Sequence, residues 1–179
     1  SSYDDPVGTY DTNVMGTVNI LECVRLNPCV KSFLNVTTDK VYENKEWEWG
    51  YRENEPLVGY DPYSNSKSCS ELVTHSYVSS FFAKDAFGAA AGRCAVSTAR
   101  AGNVIGGGDF AANRIVPDCV RAALSGNLLQ IRNPNSVRPY QHVLEAITFY
   151  LLVAEKQYED KAFSGEYNVG PEGSDSINS

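Results

Sequence analysis

The stretch at residues 33–67 constrains this chain most. It opens on the apolar run Phe33-Leu34-Asn35-Val36 and breaks into Thr37-Thr38-Asp39-Lys40. It ends at Tyr63-Ser64-Asn65-Ser66-Lys67, inside a segment that begins on Asp61-Pro62. Asp as N-cap with Pro at the first helical position is a strong helix start. A buried strand that stops in hydroxyls and charge, followed by a helix, is half of a βαβ unit. The rest of the chain repeats that alternation, which calls for parallel strands with helices on both faces of the sheet.

The other elements follow from periodicity and breakers. Residues 7–25 carry Val14, Val18, Leu21 and Val24 at three- and four-residue steps, a helix closed by Asn27-Pro28. Gly16 lies inside it, a costly choice unless something packs closely there. Residues 30–36 and 93–99 read as strands, and 45–61, with Trp47, Trp49 and Tyr51, as an aromatic excursion loop. The helix from Asp61 fades near Phe82. Residues 102–109 form a glycine-rich loop, 115–124 a helix ended by Gly126, 128–132 a short strand and 133–141 a loop. Residues 143–158 give a long helix and 166–169 a last short strand. No linker divides the chain, so one domain is expected.

Composition excludes several classes. The 179 residues carry a net charge of −7, which gains nothing from a nucleic-acid backbone. A small anionic ligand remains compatible, since a few local arginines can hold a phosphate. Five cysteines, an odd count without a CxxC pair, read as reduced thiols of a cytosolic protein. With two histidines no metal site is expected. There is no apolar run long enough to span a membrane and no signal-peptide pattern at the start.

Tyr63 and Lys67, four apart on a helix, lie on one face. A phenol is a poor base because its unperturbed pKa is about 10, but a nearby ammonium lowers that value. Such a pair can accept a proton from a sugar hydroxyl; equally, Tyr and Lys at this spacing decorate many surface helices. Thr37-Thr38-Asp39-Lys40 falls at the carboxyl end of a strand, where ligands of parallel sheets sit. It could also be a simple cap or turn, although no good helix follows it. The run from Ala99 to Asp109 is a flexible loop at the same sheet edge and is not a phosphate-binding glycine fingerprint. Arg132 and Arg138 flank Asn133-Pro134-Asn135-Ser136, where either suits a phosphate or a solvated loop.

Taken together, Thr37-Thr38-Asp39-Lys40-Val41-Tyr42, Tyr63-Ser64-Asn65-Ser66-Lys67 and the loop from Arg100 to Asp109 resemble the extended short-chain dehydrogenase/reductase family. Tyr42-Glu43-Asn44-Lys45-Glu46-Trp47, Ile131-Arg132-Asn133-Pro134 and Val137-Arg138-Pro139-Tyr140-Gln141-His142-Val143 narrow the resemblance to its sugar-nucleotide 4,6-dehydratases. The resemblance implies a Rossmann-like, doubly wound parallel sheet with NAD as cofactor and a nucleotide sugar as substrate. It also implies a soluble cytoplasmic homo-oligomer that supplies deoxysugar precursors. Tyr63 would be the base and Lys67 its partner, also holding the nicotinamide ribose, with Thr37 and Arg100 beside the cofactor. Thr38 would hydrogen-bond the sugar O4, and Asp39 would protonate the leaving C6 hydroxyl. Lys40 stands where the dTDP-glucose members carry Glu, which fits CDP-glucose as substrate, with a role in proton transfer at C5. Asn103, Arg114, Arg132 and Arg138 would hold the nucleotide diphosphate. The implied reaction oxidises C4, loses water across C5 and C6, and reduces C6 on the same cofactor.

Some features depart from the family. Tyr140 stands where Trp is usual, and Cys69 and Ala89-Ala90-Ala91-Gly92 are unusual wordings. The family's opening strand, glycine fingerprint and helix do not precede Ser1, so the sheet is expected to be partial, lacking the N-terminal βαβ unit. On that reading the chain is an internal part of a longer enzyme. It would bind NAD weakly by itself and leave a sheet edge and apolar surface uncovered. Two other enzymes of this fold remain open, a dTDP-glucose dehydratase and a sugar-nucleotide 4-epimerase. A non-catalytic nucleotide-sugar-binding module is the reading of another class.

Overall fold

The helical periodicity near the start becomes one continuous helical run in the computed structural model, which describes residues 1–45, 47–86, 88–131, 134, 136–171, 177 and 178. The run comprises α1 (Pro6–Tyr10), a widened π turn at Asp11–Met15, and α2 (Gly16–Leu26). Nothing lies within 4 Å of where a Cβ on Gly16 would stand, so the close packing expected there is absent. Gly16 instead opens α2 directly after the widened turn.

Three parallel strands form the main sheet: β1 (Ser32–Thr38), β2 (Ala95–Ala101) and β6 (Glu166–Val169), in the order β1-β2-β6. Pairing runs from Ser32 opposite Ala95 to Thr38 opposite Ala101. Both of the first two strands reach two residues further than the apolar runs suggest. The ladder satisfies the backbone of Thr37, Thr38, Arg100 and Ala101, so their polarity does not end it. Every residue of β2 is buried, as a central strand covered on both faces requires.

The two faces are filled differently. On one, α2 and the end of α3 (Pro62–Tyr77, followed by a π turn at Val78–Phe82) close over Leu21, Val24, Phe82, Ala90, Cys94 and Val96. Burying each large aliphatic side chain contributes about 1.5–3 kcal/mol. Burial pushes the Cys94 thiol up to about 11, so it serves as a small apolar side chain. On the other face, α5 (Val143–Glu159) packs Ala146 against Ala99, Ala101 and Val169. His142 caps α5 with a reciprocal box: its Nδ1 accepts from Leu144 N at 3.2 Å while its own N–H reaches Glu145 Oε2 at 3.0 Å.

The inner side of α3 is hydroxylic rather than oily. Ser64, Ser66, Ser68, Ser70 and Thr74 are buried. Asn13 donates to Ser66 Oγ at 2.9 Å, and Asn35 Nδ2 donates to Ser70 Oγ and Thr74 Oγ1, both at 2.9 Å. Small side chains let α3 lie close to α1 and β1, and the hydrogen bonds meet the demand that buried polar groups be paired.

Two expectations fail here. Residues 128–131 are not a strand: Leu128 is 100% exposed and, among the described residues, no strand pairs with this segment, while residue 132 is outside the described residues. The glycine-rich loop and the loop after residue 133 are partly regular. β3 (Asn103–Ile105) pairs in parallel with β5 (Tyr140–His142), and β4 (Val137–Arg138) pairs antiparallel with β7 (Ile177–Asn178). α4 (Ile115–Ser125) ends as expected on Gly126, whose φ of +67° is the left-handed conformation glycine adopts at no steric cost.

Candidate active site

The site begins where β1 ends. Thr38 closes the strand and a single 3-10 turn, Asp39–Val41, follows. The Thr38 hydroxyl donates to Asp39 Oδ1 at 3.0 Å and accepts from Lys40 N at 3.4 Å. Lys40 Nζ donates to Asp39 Oδ1 at 3.2 Å and to Asn103 Oδ1 at 3.0 Å, tying the turn to β3. Asp39 therefore has two of its neighbours, a hydroxyl and an ammonium, holding one carboxylate oxygen.

The first turn of α3 brings Tyr63 to the same place. Asp61 caps it, accepting from Tyr63 N at 3.0 Å and Ser64 N at 3.1 Å. Gly59 makes room for that turn: a Cβ there would stand 2.2 Å from the Ser64 carbonyl carbon. Tyr63 remains 39% exposed. Burial pushes its phenol above the ordinary value, the Asp39 carboxylate pushes it further, and Arg114 and a hydrogen bond with the Thr38 side chain pull it back. This corrects the expectation that Lys67 would lower it. Lys67 donates instead to the Val36 carbonyl at 3.3 Å, and burial holds its ammonium below the usual lysine range against the opposing charge of Glu71.

In front of Tyr63 opens a cleft of about 990 Å³. Lys40, Tyr63, Asn103, Arg114, Arg138 and Tyr140 line it. Arg114 lies 3.8 Å from Asp109 Oδ2. The structure thus gathers Lys40, Tyr63, Asn103, Arg114 and Arg138 around one space, with Thr38 and Asp39 set against Tyr63 behind it. Arg132 lies outside the described residues. Among the described residues no cluster of three or more His, Cys, Asp or Glu could hold a metal ion.

Thr37 and Arg100 do not reach the cleft. Both are buried, and the Arg100 guanidinium spends its donors on Glu71, Tyr42 and the Glu53 carbonyl. Sequence reasoning missed Glu71. The available signal was its place one helical turn beyond Lys67, on the face that carries buried serines. It also missed Asn113, which lines the cleft next to Arg114 in the left-handed region at φ 65°. Asn tolerates that conformation better than most side chains.

A model of the NAD dependent epimerase/dehydratase family matches residues 1–170. The chain is 49% identical over 175 residues to the CDP-glucose 4,6-dehydratase of Salmonella typhimurium, covering 97% of this chain and 48% of that protein. Among solved structures, a dTDP-glucose 4,6-dehydratase from Bacillus anthracis in complex with NAD superposes with a TM-score of 0.74 at 27% identity, over 91% of this chain and 47% of that one. A dTDP-glucose 4,6-dehydratase from Streptomyces venezuelae shares the fold, with a TM-score of 0.75 at 23% identity, over 99% of this chain and 49% of that one. The chain spans about half the length of each of these three relatives.

Proposed function

The chain belongs to the NAD dependent epimerase/dehydratase family, and from that premise we propose that it carries the proton-transfer centre of a sugar-nucleotide 4,6-dehydratase acting on CDP-glucose. The observation that carries this reading is an acid and a base side by side at one sheet edge. Asp39 is close enough to Tyr63 for its charge to raise the phenol pKa, and Thr38 contacts both. A 4-epimerase moves a hydride and one hydroxyl proton and has no need of an acid for water loss. The 49% identity to the Salmonella CDP-glucose 4,6-dehydratase supports the same choice.

Each side chain has a defined task. Tyr63 takes the proton of the sugar 4-hydroxyl, whose oxygen the Thr38 hydroxyl orients. Lys67 supplies positive charge on the same helix face as the developing phenolate. Once C4 is a ketone, the C5 proton is acidified. Asp39 protonates the departing 6-hydroxyl, and Lys40, bound to Asp39, assists proton removal at C5. Asn103, Arg114 and Arg138 hold the diphosphate. Arg132 joins them in this proposal.

Bound NAD would supply the hydride chemistry, as acceptor from C4 and donor to C6, and Tyr63 and Lys67 are the residues that would hold it. Tyr63 and Lys67 fit its ribose: the phenol is part-exposed, and Lys67 gives one of its three N–H groups to Val36, leaving donors for sugar hydroxyls. Thr37 and Arg100 have no such surface and are not assigned to it. We infer a cytoplasmic homo-oligomer that pairs through the helices flanking the sheet and has no nucleic-acid partner.

Since the chain spans about half of its relatives and is expected to turn over little alone, the test incubates it within a protein of the relatives' full length with NAD and CDP-glucose, with dTDP-glucose in parallel and products read by mass spectrometry. Loss of one water with a 4-keto product, faster from CDP-glucose, is the expected result. Binding without turnover would make the chain a nucleotide-sugar-binding module. A product of unchanged mass with inverted C4 would make it an epimerase.

A further inference from the structure

Behind the cleft lies a charged pair that the proposed reaction does not use. Arg100 and Glu71 have side chains 3% and 2% exposed. They meet through two parallel contacts, Nε to Oε1 at 3.0 Å and Nη2 to Oε2 at 3.1 Å. The Thr37 hydroxyl also donates to Glu71 Oε1. From its other side Arg100 donates through Nη1 to the Tyr42 hydroxyl and to the Glu53 carbonyl, both at 2.7 Å. The Tyr42 hydroxyl donates in turn to Asn168 Oδ1 at 2.7 Å. Asn168 donates to the Tyr51 carbonyl at 2.8 Å and, from its backbone, to Glu53 Oε1 at 3.0 Å. The Tyr42 and Tyr51 rings stack with centroids 5.3 Å apart.

Four segments therefore meet on one ion pair. They are α3 at Glu71, one turn beyond Lys67, β2 at Arg100, β1 at Thr37, one residue before Thr38, and the aromatic loop at the Glu53 carbonyl, with β6 joined at one remove through Tyr42 and Asn168. A buried ion pair seldom adds net stability over well-packed apolar residues, because desolvating both charges offsets their attraction. What it gives is geometry, since a forked guanidinium fixes direction as well as distance.

We propose that Glu71 and Arg100 are positioning residues that hold the Lys67 turn of α3, the Thr37-Thr38 end of β1 and the aromatic loop in one register. The consequence for turnover rests on the dehydratase reading; the register does not. Trp47 and Trp49, the chain's two tryptophans, both lie in that loop. Trp47 sits 5.5 Å from Tyr51 between ring centroids. Tryptophan emission thus reports on this loop alone.

The experiment compares the protein with the double variant Glu71→Met/Arg100→Met and with Arg100→Lys. The double variant leaves neither charge orphaned. Arg100→Lys keeps the charge, loses the fork and gives a second variant should the first fold poorly. The expected result is unchanged far-UV dichroism in both. Tryptophan emission shifts to the red and acrylamide quenching rises in the double variant, with Arg100→Lys in between. With the same variants placed in a protein of the relatives' full length and supplied with CDP-glucose and NAD, kcat falls on the order of a hundredfold, as for a misplaced catalytic group, while KM changes little. Tryptophan signals and kcat that match the parent in both variants overturn the proposal. So does a fall of kcat together with a rise of KM and a lowered thermal midpoint in Arg100→Lys, the mark of a merely structural pair. Altered tryptophan signals in a protein whose parent shows no turnover sustain the positioning role and reject the dehydratase reading instead.

Discussion

At the scale of single residues, Tyr63 shows what spacing reveals and what it hides. The four-residue step to Lys67 is legible in the sequence, and so is the hydroxyl-rich strand end. The sign of the phenol's shift is not, because burial and the Asp39 carboxylate arise only when α3 is laid against the turn after β1. Since the Asp39 charge raises the Tyr63 pKa, Asp39→Asn should lower it. The difference in phenolate ultraviolet absorbance between that variant and Asp39→Asn/Tyr63→Phe, titrated against pH, isolates the single phenol; an unmoved titration would separate the two groups. The linkage to stability has a definite sign. A pKa raised in the folded state favours folding below the unfolded value and loses that contribution as pH rises through the folded one. Tyr63→Phe should therefore soften the loss of stability on the alkaline side. It should also cut turnover by about a hundredfold to ten-thousandfold, the range of a positioned general base, with neutral-pH dichroism unchanged.

At the scale of elements, helices were more legible than strands. α3 was placed by Asp61-Pro62, and its cap is made as that pair implies. Asp61→Ala removes an acceptor from two backbone N–H groups. It should cost about 1 kcal/mol and lower the melting midpoint by roughly 2–4 °C in a chain of this size. Because Tyr63 sits in the turn that frays, kcat should fall further than stability alone explains; differential scanning calorimetry beside steady-state rates checks this. The strands were less legible because a strand is defined by its partner. The segment from Leu128 to Ile131 has the apolar content of a strand and, among the described residues, no strand to pair with. The pair β3 and β5 joins Asn103 to Tyr140 across a span in which nothing local signals pairing. That pair nevertheless sets the cleft, since it fixes Asn103, which receives Lys40, beside Tyr140. Glu71 stayed hidden for the same reason, and Arg100, which the family resemblance puts beside the cofactor, is turned onto Glu71 only once the sheet closes around both.

At the scale of the whole molecule, the apolar residues left in solvent matter most. Among the described residues no strand pairs with the outer edge of β1. On the outer face of α5, Leu144 and Leu151 are 60% and 67% exposed, with Ile147 and Leu152 beside them. Leu144 and Leu151 are two helical turns apart and so lie on one side. Contiguous apolar surface of this kind drives association, at about 25 cal/mol for each Å² removed from water. The protein should therefore associate with itself more as its concentration rises. Replacing both side chains, Leu144→Glu/Leu151→Glu, should suppress that association. Neither contributes to the core, so the substitutions should cost little stability, within about 0.5 kcal/mol each for surface sites. Adding two carboxylates to a chain already at −7 also raises its self-repulsion, which works in the same direction. The first of the two carboxylates would enter the opening turn of α5, where the helix dipole favours a negative charge, so the helix itself should hold. Sedimentation velocity over a wide concentration range, with far-UV dichroism as the control for folding, decides the matter. A parent that stays monomeric throughout, or a variant that associates as strongly as the parent, would remove α5 as the source. A variant that stays monomeric while the parent does not would identify this face as the one the fold leaves uncovered.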